Sequence, residues 1–299
     1  MNEHTIVLAK SGKVYSCGYN ASGQCGRAGQ PAILTSLDLL VSEPVSQIHA
    51  YNGCEHTLIV TRSGRLVSFG YNGFGQLGGG GNKRRYSPQN IRGMGNTRVL
   101  TLSCSYYHTI VACVENRTFS FGRNNYGQLG HGDLFDKETA HEVKSLRGML
   151  MTTLACGQYH TCAGASSGRV FACGRNDHGQ LGLDCAHASI SCMFQVHGDV
   201  AAMQVTCGYY HTVILSPDRQ VYSFGRNNYG QLGLGNIKDC VFGLKSVVDG
   251  ASLEIEIVSA GCYHTVLVGT SGMIHVFGRN NHGQLGTGDL VDRHSPHSI

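Results

Sequence analysis

A His-Thr pair recurs at His4, His56, His108, His160, His211 and His264, at intervals of 52, 52, 52, 51 and 53 residues. A glycine followed two residues later by Asn keeps the same step at Gly18, Gly70, Gly122, Gly174, Gly225 and Gly278. Gly-Gln comes next each time, from Gly23-Gln24 to Gly283-Gln284. Three marks holding one register over six copies define a repeat protein. A period near 50 residues restricts the fold to stacked or radially arranged supersecondary units.

One copy can be parsed physically. Val99 to Cys104 and Thr109 to Val114 are β-rich runs, separated from a third, Thr118 to Phe121, by the polar turn Glu115 to Arg117. Gly122 stops the third strand, and Arg123-Asn124-Asn125-Tyr126-Gly127 is rich in residues that tolerate left-handed backbone. After a looser stretch from His131 to Ala140, His141 to Lys144 predicts a fourth strand. Four short strands in about 50 residues make one propeller blade, which cannot bury both faces alone and must pack against copies of itself. The expected fold is therefore an all-β, β-propeller domain over residues 1–299, with four-stranded blades of about 52 residues. The 42 glycines with only five prolines suit tight turns between strands, and 41% hydrophobic residues can supply a core. The first copy begins at its His-Thr with no strand before it, and the last ends near its fourth strand at Pro296-His297-Ser298-Ile299. This predicts a domain cut from a longer chain, or a propeller whose closing blade lacks a strand.

The copy Gly208-Tyr209-Tyr210-His211-Thr212, then Val221-Tyr222-Ser223-Phe224-Gly225-Arg226-Asn227, then Gly230-Gln231-Leu232-Gly233, resembles the repeat of the regulator of chromosome condensation family. The resemblance covers the whole chain and implies a propeller, seven-bladed in most members, in which the repeat His is structural. The family's usual Trp before the third-strand Gly is replaced by Cys17, Phe69, Phe121, Cys173, Phe224 and Phe277. Light-sensing propellers of this fold carry Trp and Arg at the positions before the repeat His. This chain has no Trp, which excludes a Trp-based photoreceptor.

Composition narrows the function further. The formal charge of +4 does not demand a nucleic-acid or chromatin partner, though it permits a local basic patch. No apolar run reaches the roughly 18 residues of a membrane span, so no membrane partner is expected. Met1 to Lys10 shows no secretory signal pattern. The 13 cysteines, with no C-x-x-C pair, then read as reduced thiols of the cytoplasm or nucleus.

The repeat His residues lie about 52 residues apart and are expected to bridge strands rather than converge on a metal. Cys104, Cys156 and Cys207, each four residues before a repeat His, read as small hydrophobes. The irregular loop with Cys185, His187 and Cys192 is the best alternative for a metal. Gly-Gln-Leu-Gly lacks the Lys-Ser/Thr of a phosphate loop. No catalytic, cofactor or metal residue is assigned, and an enzyme is not expected.

Two rings remain that the fold does not dictate. Tyr107, Tyr159, Tyr210 and Tyr263 stand immediately before the repeat His, with Tyr106 and Tyr209 one residue earlier. Arg123, Arg175, Arg226 and Arg279 follow the third strand, where the first two copies have Tyr19 and Tyr71. Tyr offers large contact area at low entropic cost and Arg pairs with acidic groups, so these ten residues form the expected partner-binding face. Lys83-Arg84-Arg85-Tyr86 adds a basic stretch. The resemblance implies a non-catalytic protein-interaction propeller, such as the recruiting module of a ubiquitin ligase. Its founding activity, nucleotide exchange on a Ran-type small GTPase, is the alternative. The even repeat spacing leaves no room for the inserted β-wedge that exchange factors of that kind use.

Overall fold

A computed structural model describes residues 4–37, 43–51, 54–183, 188–196, 200–247 and 253–299. The chain is all-β and resolves into two compact units, Met1–Asn125 with Leu134–Leu150, and Tyr126–Asp133 with Met151–Ile299. The first unit carries three antiparallel sheets. β1 (His4–Leu8), β2 (Val14–Gly18) and β3 (Thr35–Ser36) form one, in that order. β4 (Val45–His49), β5 (His56–Thr61), β6 (Leu66–Gly70) and β7 (Arg85–Asn90) form the second. The third is β8 (Val99–Cys104), β9 (His108–Cys113), β10 (Arg117–Gly122) and β11 (Lys137–Glu142).

The second unit repeats the meander three times. Its fourth blade is β12 (Met151–Cys156), β13 (His160–Ala165), β14 (Val170–Arg175) and β15 (Ser189–Gln195). The fifth is β16 (Gln204–Cys207), β17 (His211–Leu215), β18 (Val221–Arg226) and β19 (Cys240–Ser246). The sixth is β20 (Ile255–Ala260), β21 (His264–Gly269), β22 (Ile274–Gly278) and β23 (Arg293–Ser298). One sheet per repeat gives the blades of a β-propeller. Among the described residues the first sheet lacks the strand that precedes the repeat His elsewhere.

Burial explains the strand pattern. Every residue of β5, β9, β13 and β17 is buried, so these strands are covered on both faces and read as near-continuous apolar runs. The outermost strands are polar and largely exposed, as in β7 and β23. That is why sequence pattern misplaces the fourth strand. It lies at Lys137–Glu142, not His141 to Lys144, and Lys144–Leu146 is a 3-10 turn. Only Ala140 of Lys-Glu-Thr-Ala-His-Glu is buried, so no alternation marks it. Asp136 fixes its start by accepting the Asn124 N–H at 2.7 Å.

A relay of side chains joins neighbouring blades. Five of the six repeat Thr hydroxyls donate to the main-chain carbonyl of the Gln in the preceding blade: Thr57 to Gln24 at 3.0 Å, Thr109 to Gln76 at 3.2 Å, Thr161 to Gln128 at 2.7 Å, Thr212 to Gln180 at 2.9 Å and Thr265 to Gln231 at 2.9 Å. With its one proton committed, the hydroxyl accepts from the preceding blade's His. Nε2 of His4, His160 and His211 stands 3.0, 3.0 and 3.1 Å from Thr57, Thr212 and Thr265. These three repeat His residues therefore bridge blades. His56 departs from the pattern: no bond joins it to Thr109, and its neighbour is the Cys104 thiol. The imidazole also dictates a glycine: a Cβ on Gly208 would lie 2.1 Å from Cε1 of His211. Where the third blade has Ser105 at this position, its hydroxyl instead meets Nδ1 of His108 at 2.8 Å.

Burial holds these imidazoles neutral. It pushes His4 down to about 4 and His211 down to about 3, each helped by neighbouring repeat His residues, from an ordinary value of 6.5. The unfolded chain then binds more protons than the folded one below pH 6.5, so stability is complete above that pH and falls as the solution is acidified toward pH 4 and 3. The slope is about 1.4 kcal/mol per pH unit for each such His. The urea midpoint should accordingly fall on acidification below pH 6.5, and less steeply in His211→Asn. Thr265→Val should cost about 1–3 kcal/mol at neutral pH, because it strands both the His211 donor and the Gln231 carbonyl.

Candidate protein-docking face

Just before the repeat His of the second to sixth copies stands a residue whose carbonyl accepts the N–H of the residue that follows the third-strand Gly. Arg123 bonds Tyr107 at 2.9 Å, Arg175 bonds Tyr159 at 2.8 Å, Arg226 bonds Tyr210 at 2.8 Å and Arg279 bonds Tyr263 at 2.9 Å. Between the two lies a glycine at φ +106 to +112, such as Gly122, whose Cβ would come 2.4 Å from the Tyr107 carbonyl oxygen. Tyr and Arg are thus held side by side by backbone geometry.

A third component escapes a reading of the sequence. The aromatic one residue before each Gly-Gln packs against the Tyr of the next blade. In the first unit Phe74 meets Tyr107 edge-on at 5.3 Å, and the Arg123 guanidinium lies 4.5 Å from Phe74 and 5.0 Å from Tyr107. Tyr106 joins the group at 5.3 Å from Tyr107. The boundary before it substitutes a hydrogen bond, Ser22 Oγ to Glu55 Oε2 at 2.6 Å. The sequence does carry a signal, since this column reads Ser22, Phe74, Tyr126, His178, Tyr229 and His282.

In the second unit the motif repeats three times and becomes continuous. Tyr126 packs on Tyr159 at 5.1 Å, His178 on Tyr210 at 5.4 Å and Tyr229 on Tyr263 at 5.5 Å. Arg175 covers Tyr126 at 5.1 Å and Tyr210 at 5.7 Å, Arg226 covers Tyr210 at 5.8 Å, and Arg279 covers Tyr229 at 4.9 Å and Tyr263 at 5.7 Å. Tyr209 fills the space between blades, 5.4 Å from Tyr263 and 6.3 Å from Tyr210. All of these side chains are half-buried.

The charges are only partly compensated. Arg175 binds Asp177 of its own loop through Nε at 2.9 Å, and Arg226 faces the exposed Asp239 at 3.6 Å. Both ion pairs lie within one blade, so the contact to the neighbouring blade is aromatic. The Nε atoms of Arg226 and Arg279 are buried with no hydrogen-bond partner. Burial raises the phenols of Tyr210 and Tyr263 and lowers His178, so these three rings are neutral beside the guanidiniums. The basic stretch lies in the first unit, where Lys83 and Arg84 line a shallow recess of about 410 Å³ with Tyr71, Gly73 and Asn82. Cys185 and His187 lie outside the described residues, while Cys192 is exposed on β15. His160, Cys162 and Cys207 do converge, their ligand atoms all within 4.8 Å of one another.

Blades bridged by His and Thr, with an Arg-aromatic ladder where the strands turn, define a propeller of the chromosome-condensation-regulator type. The chain belongs to the RCC1-like domain family, whose model matches residues 2–299. It is 31% identical to the ultraviolet-B receptor UVR8 of Arabidopsis thaliana, over 99% of this chain and 68% of that protein. It is 32% identical to the human probable E3 ubiquitin-protein ligase HERC6, over 92% of this chain and 27% of the ligase. The chain therefore spans about a quarter of that relative's length. Human WBSCR16 shares the fold at a TM-score of 0.89 and 19% identity, covering 99% of this chain and 79% of that one. Prp20p of Saccharomyces cerevisiae does so at 0.86 and 20%, covering 100% and 75%.

The ladder makes an energetic prediction. A double-mutant cycle of Tyr229→Leu and Arg279→Leu, read by urea denaturation, should give a coupling of about 0.5–1 kcal/mol. A value near zero would mean that the guanidinium does not rest on the ring in solution.

Proposed function

We propose that residues 1–299 act as one non-catalytic propeller that recruits a protein partner, and that the partner presents an acidic segment to the Arg-aromatic ladder. The observation that carries this reading is the incompletely compensated charge of Arg226 and Arg279, held rigid on neutral aromatic rings. A guanidinium already ordered by stacking loses little entropy on docking, and its fork matches a carboxylate. Tyr106, Tyr107, Tyr159, Tyr209, Tyr210 and Tyr263 supply the contact area around Arg123, Arg175, Arg226 and Arg279. Kinship with HERC ligases supports a recruiting module within a larger regulatory protein, and the many cysteines suit the reducing cytoplasm or nucleus. Among the described residues no helix is long and apolar enough to cross a membrane.

The test is binding of Asp/Glu-rich peptides to the full chain by fluorescence anisotropy. Affinity should fall with rising salt. Arg175→Glu, Arg226→Glu and Arg279→Glu together should weaken it at least about thirtyfold, the cost of losing one central anchor of roughly 2 kcal/mol. Substituting Tyr107, Tyr159 and Tyr210 together by Ala should do the same. Affinity unchanged in both variants would place recognition elsewhere.

A second reading follows from the likeness to Prp20p, whose structure was described with its binding to Gsp1p and histones. In it the partner is a small GTPase and the outcome is nucleotide exchange. Release of labelled GDP from a Ran-type GTPase decides it, and no acceleration at micromolar propeller removes it.

A further inference from the structure

Equivalent positions of adjacent blades abut, so ligands far apart in sequence can meet at a blade boundary. We propose that His160 and Cys162 of the fourth blade, with Cys207 and Thr212 of the fifth, form a structural site for a thiophilic divalent cation, Zn2+, that ties the two blades together.

Geometry comes first. A ring nitrogen of His160 and the sulfurs of Cys162 and Cys207 lie within 4.8 Å of one another, and all three residues are buried. A tetrahedral zinc with Zn–S near 2.3 Å and Zn–N near 2.0–2.1 Å sets its ligand atoms roughly 3.5–3.8 Å apart. Small rotations about χ1 of the two cysteines close that gap. All three surround one atom, the Thr212 hydroxyl oxygen, at 3.0 Å from His160 Nε2 and 3.7 Å from each sulfur. That hydroxyl donates to the Gln180 carbonyl, and the Cys207 thiol also has the Ala155 carbonyl in reach at 3.8 Å. A cation in place of the two thiol protons takes the Thr212 oxygen as its fourth ligand.

The repeat sharpens the assignment. Two residues after the repeat His the other copies carry Ile6, Leu58, Ile110, Val213 and Val266, so Cys162 stands where the fold asks for an aliphatic side chain. Cys207 faces it from the next blade, and the pairing of a cysteine at both positions occurs at this boundary alone.

The chemistry balances. Zn2+ displaces one proton from each thiol, so two protons go to solvent, and the cation with two thiolates is neutral. A neutral unit avoids the cost of a net buried charge. His160 lends the Nε2 lone pair after its proton moves to Nδ1. The Thr212 hydroxyl keeps its proton on Gln180. Because both thiols must lose their protons on binding, uptake strengthens as pH rises.

The experiment uses the full chain purified without chelator. Metal content is measured by mass spectrometry, and metal-depleted protein is titrated with Co2+, whose thiolate charge-transfer absorption reports sulfur ligation. One equivalent of Zn2+ is expected, with a charge-transfer band and a rise in melting temperature on adding Zn2+. Cys162→Val with Cys207→Ala installs the residues of the neighbouring boundary, Val213 and Ala260, and so preserves side-chain volume. This variant should lower bound metal at least about tenfold and abolish the band, whereas Cys113→Ser should change neither. Wild-type protein with no stoichiometric metal and no band overturns the proposal. So does full stoichiometry in the folded double variant. If the double variant does not fold, Cys162→Val alone and the wild-type titration decide the matter by the same two readouts.

Discussion

A single hydroxyl per blade boundary sets the geometry on which the other features rest. Thr57, Thr212 and Thr265 each give their proton to a carbonyl of the preceding blade and receive an imidazole from that same blade. The bond is buried, so solvent does not compete for it, and each unmade half would leave a stranded polar group. Hydrophobic contact alone would let blades slide. A directional bond at each boundary, beside Phe69, Phe121, Phe224 and Phe277 in the core, fixes rotation and height together.

The docking face inherits its precision from that bond. Tyr159 and Tyr210 directly precede His residues bonded into the relay, and each Arg is tied to a Tyr carbonyl by its own N–H. Aromatic pairs such as Tyr126–Tyr159 and Tyr229–Tyr263 then cross from one blade to the next. A ladder of this kind is ordered before a partner arrives, which lowers the entropic cost of recognition. The relay buried beneath supplies the rigidity, and the half-exposed guanidiniums supply the charge.

The fold was legible because its constraints recur. A strand buried on both faces must be apolar, a strand end crowded by a carbonyl must be Gly, and six copies of each give an unambiguous register. The fourth strand was less legible because its outer position removes the hydrophobic signal, so Lys137–Glu142 reads as loop. The Tyr and Arg columns could be picked out, but not the partners they rest on. Phe74, Tyr126, His178 and Tyr229 belong to the preceding copy, so a parse copy by copy assigns the two members of each pair to different blades. The unbridged His56 had no signal at all, since its Thr109 neighbour is present and still donates to Gln76 at 3.2 Å.

Repeat spacing does not by itself keep metal ligands apart. A separation near 52 residues is one blade, and one blade is the distance across which the relay acts at 3.0 Å. Spacing in a propeller therefore reports adjacency rather than remoteness. Where a repeat position changes but keeps its volume, packing is conserved and only chemistry changes. Met193 beside Cys173 is the packing kind of departure, since the sulfur-bearing pair fills the place next to Gly130 where other blades use Phe. Cys162 is the chemical kind. Valine or isoleucine would pack as well there, so volume does not select the thiol, and the imidazole, hydroxyl and second thiol around it supply the chemistry that could.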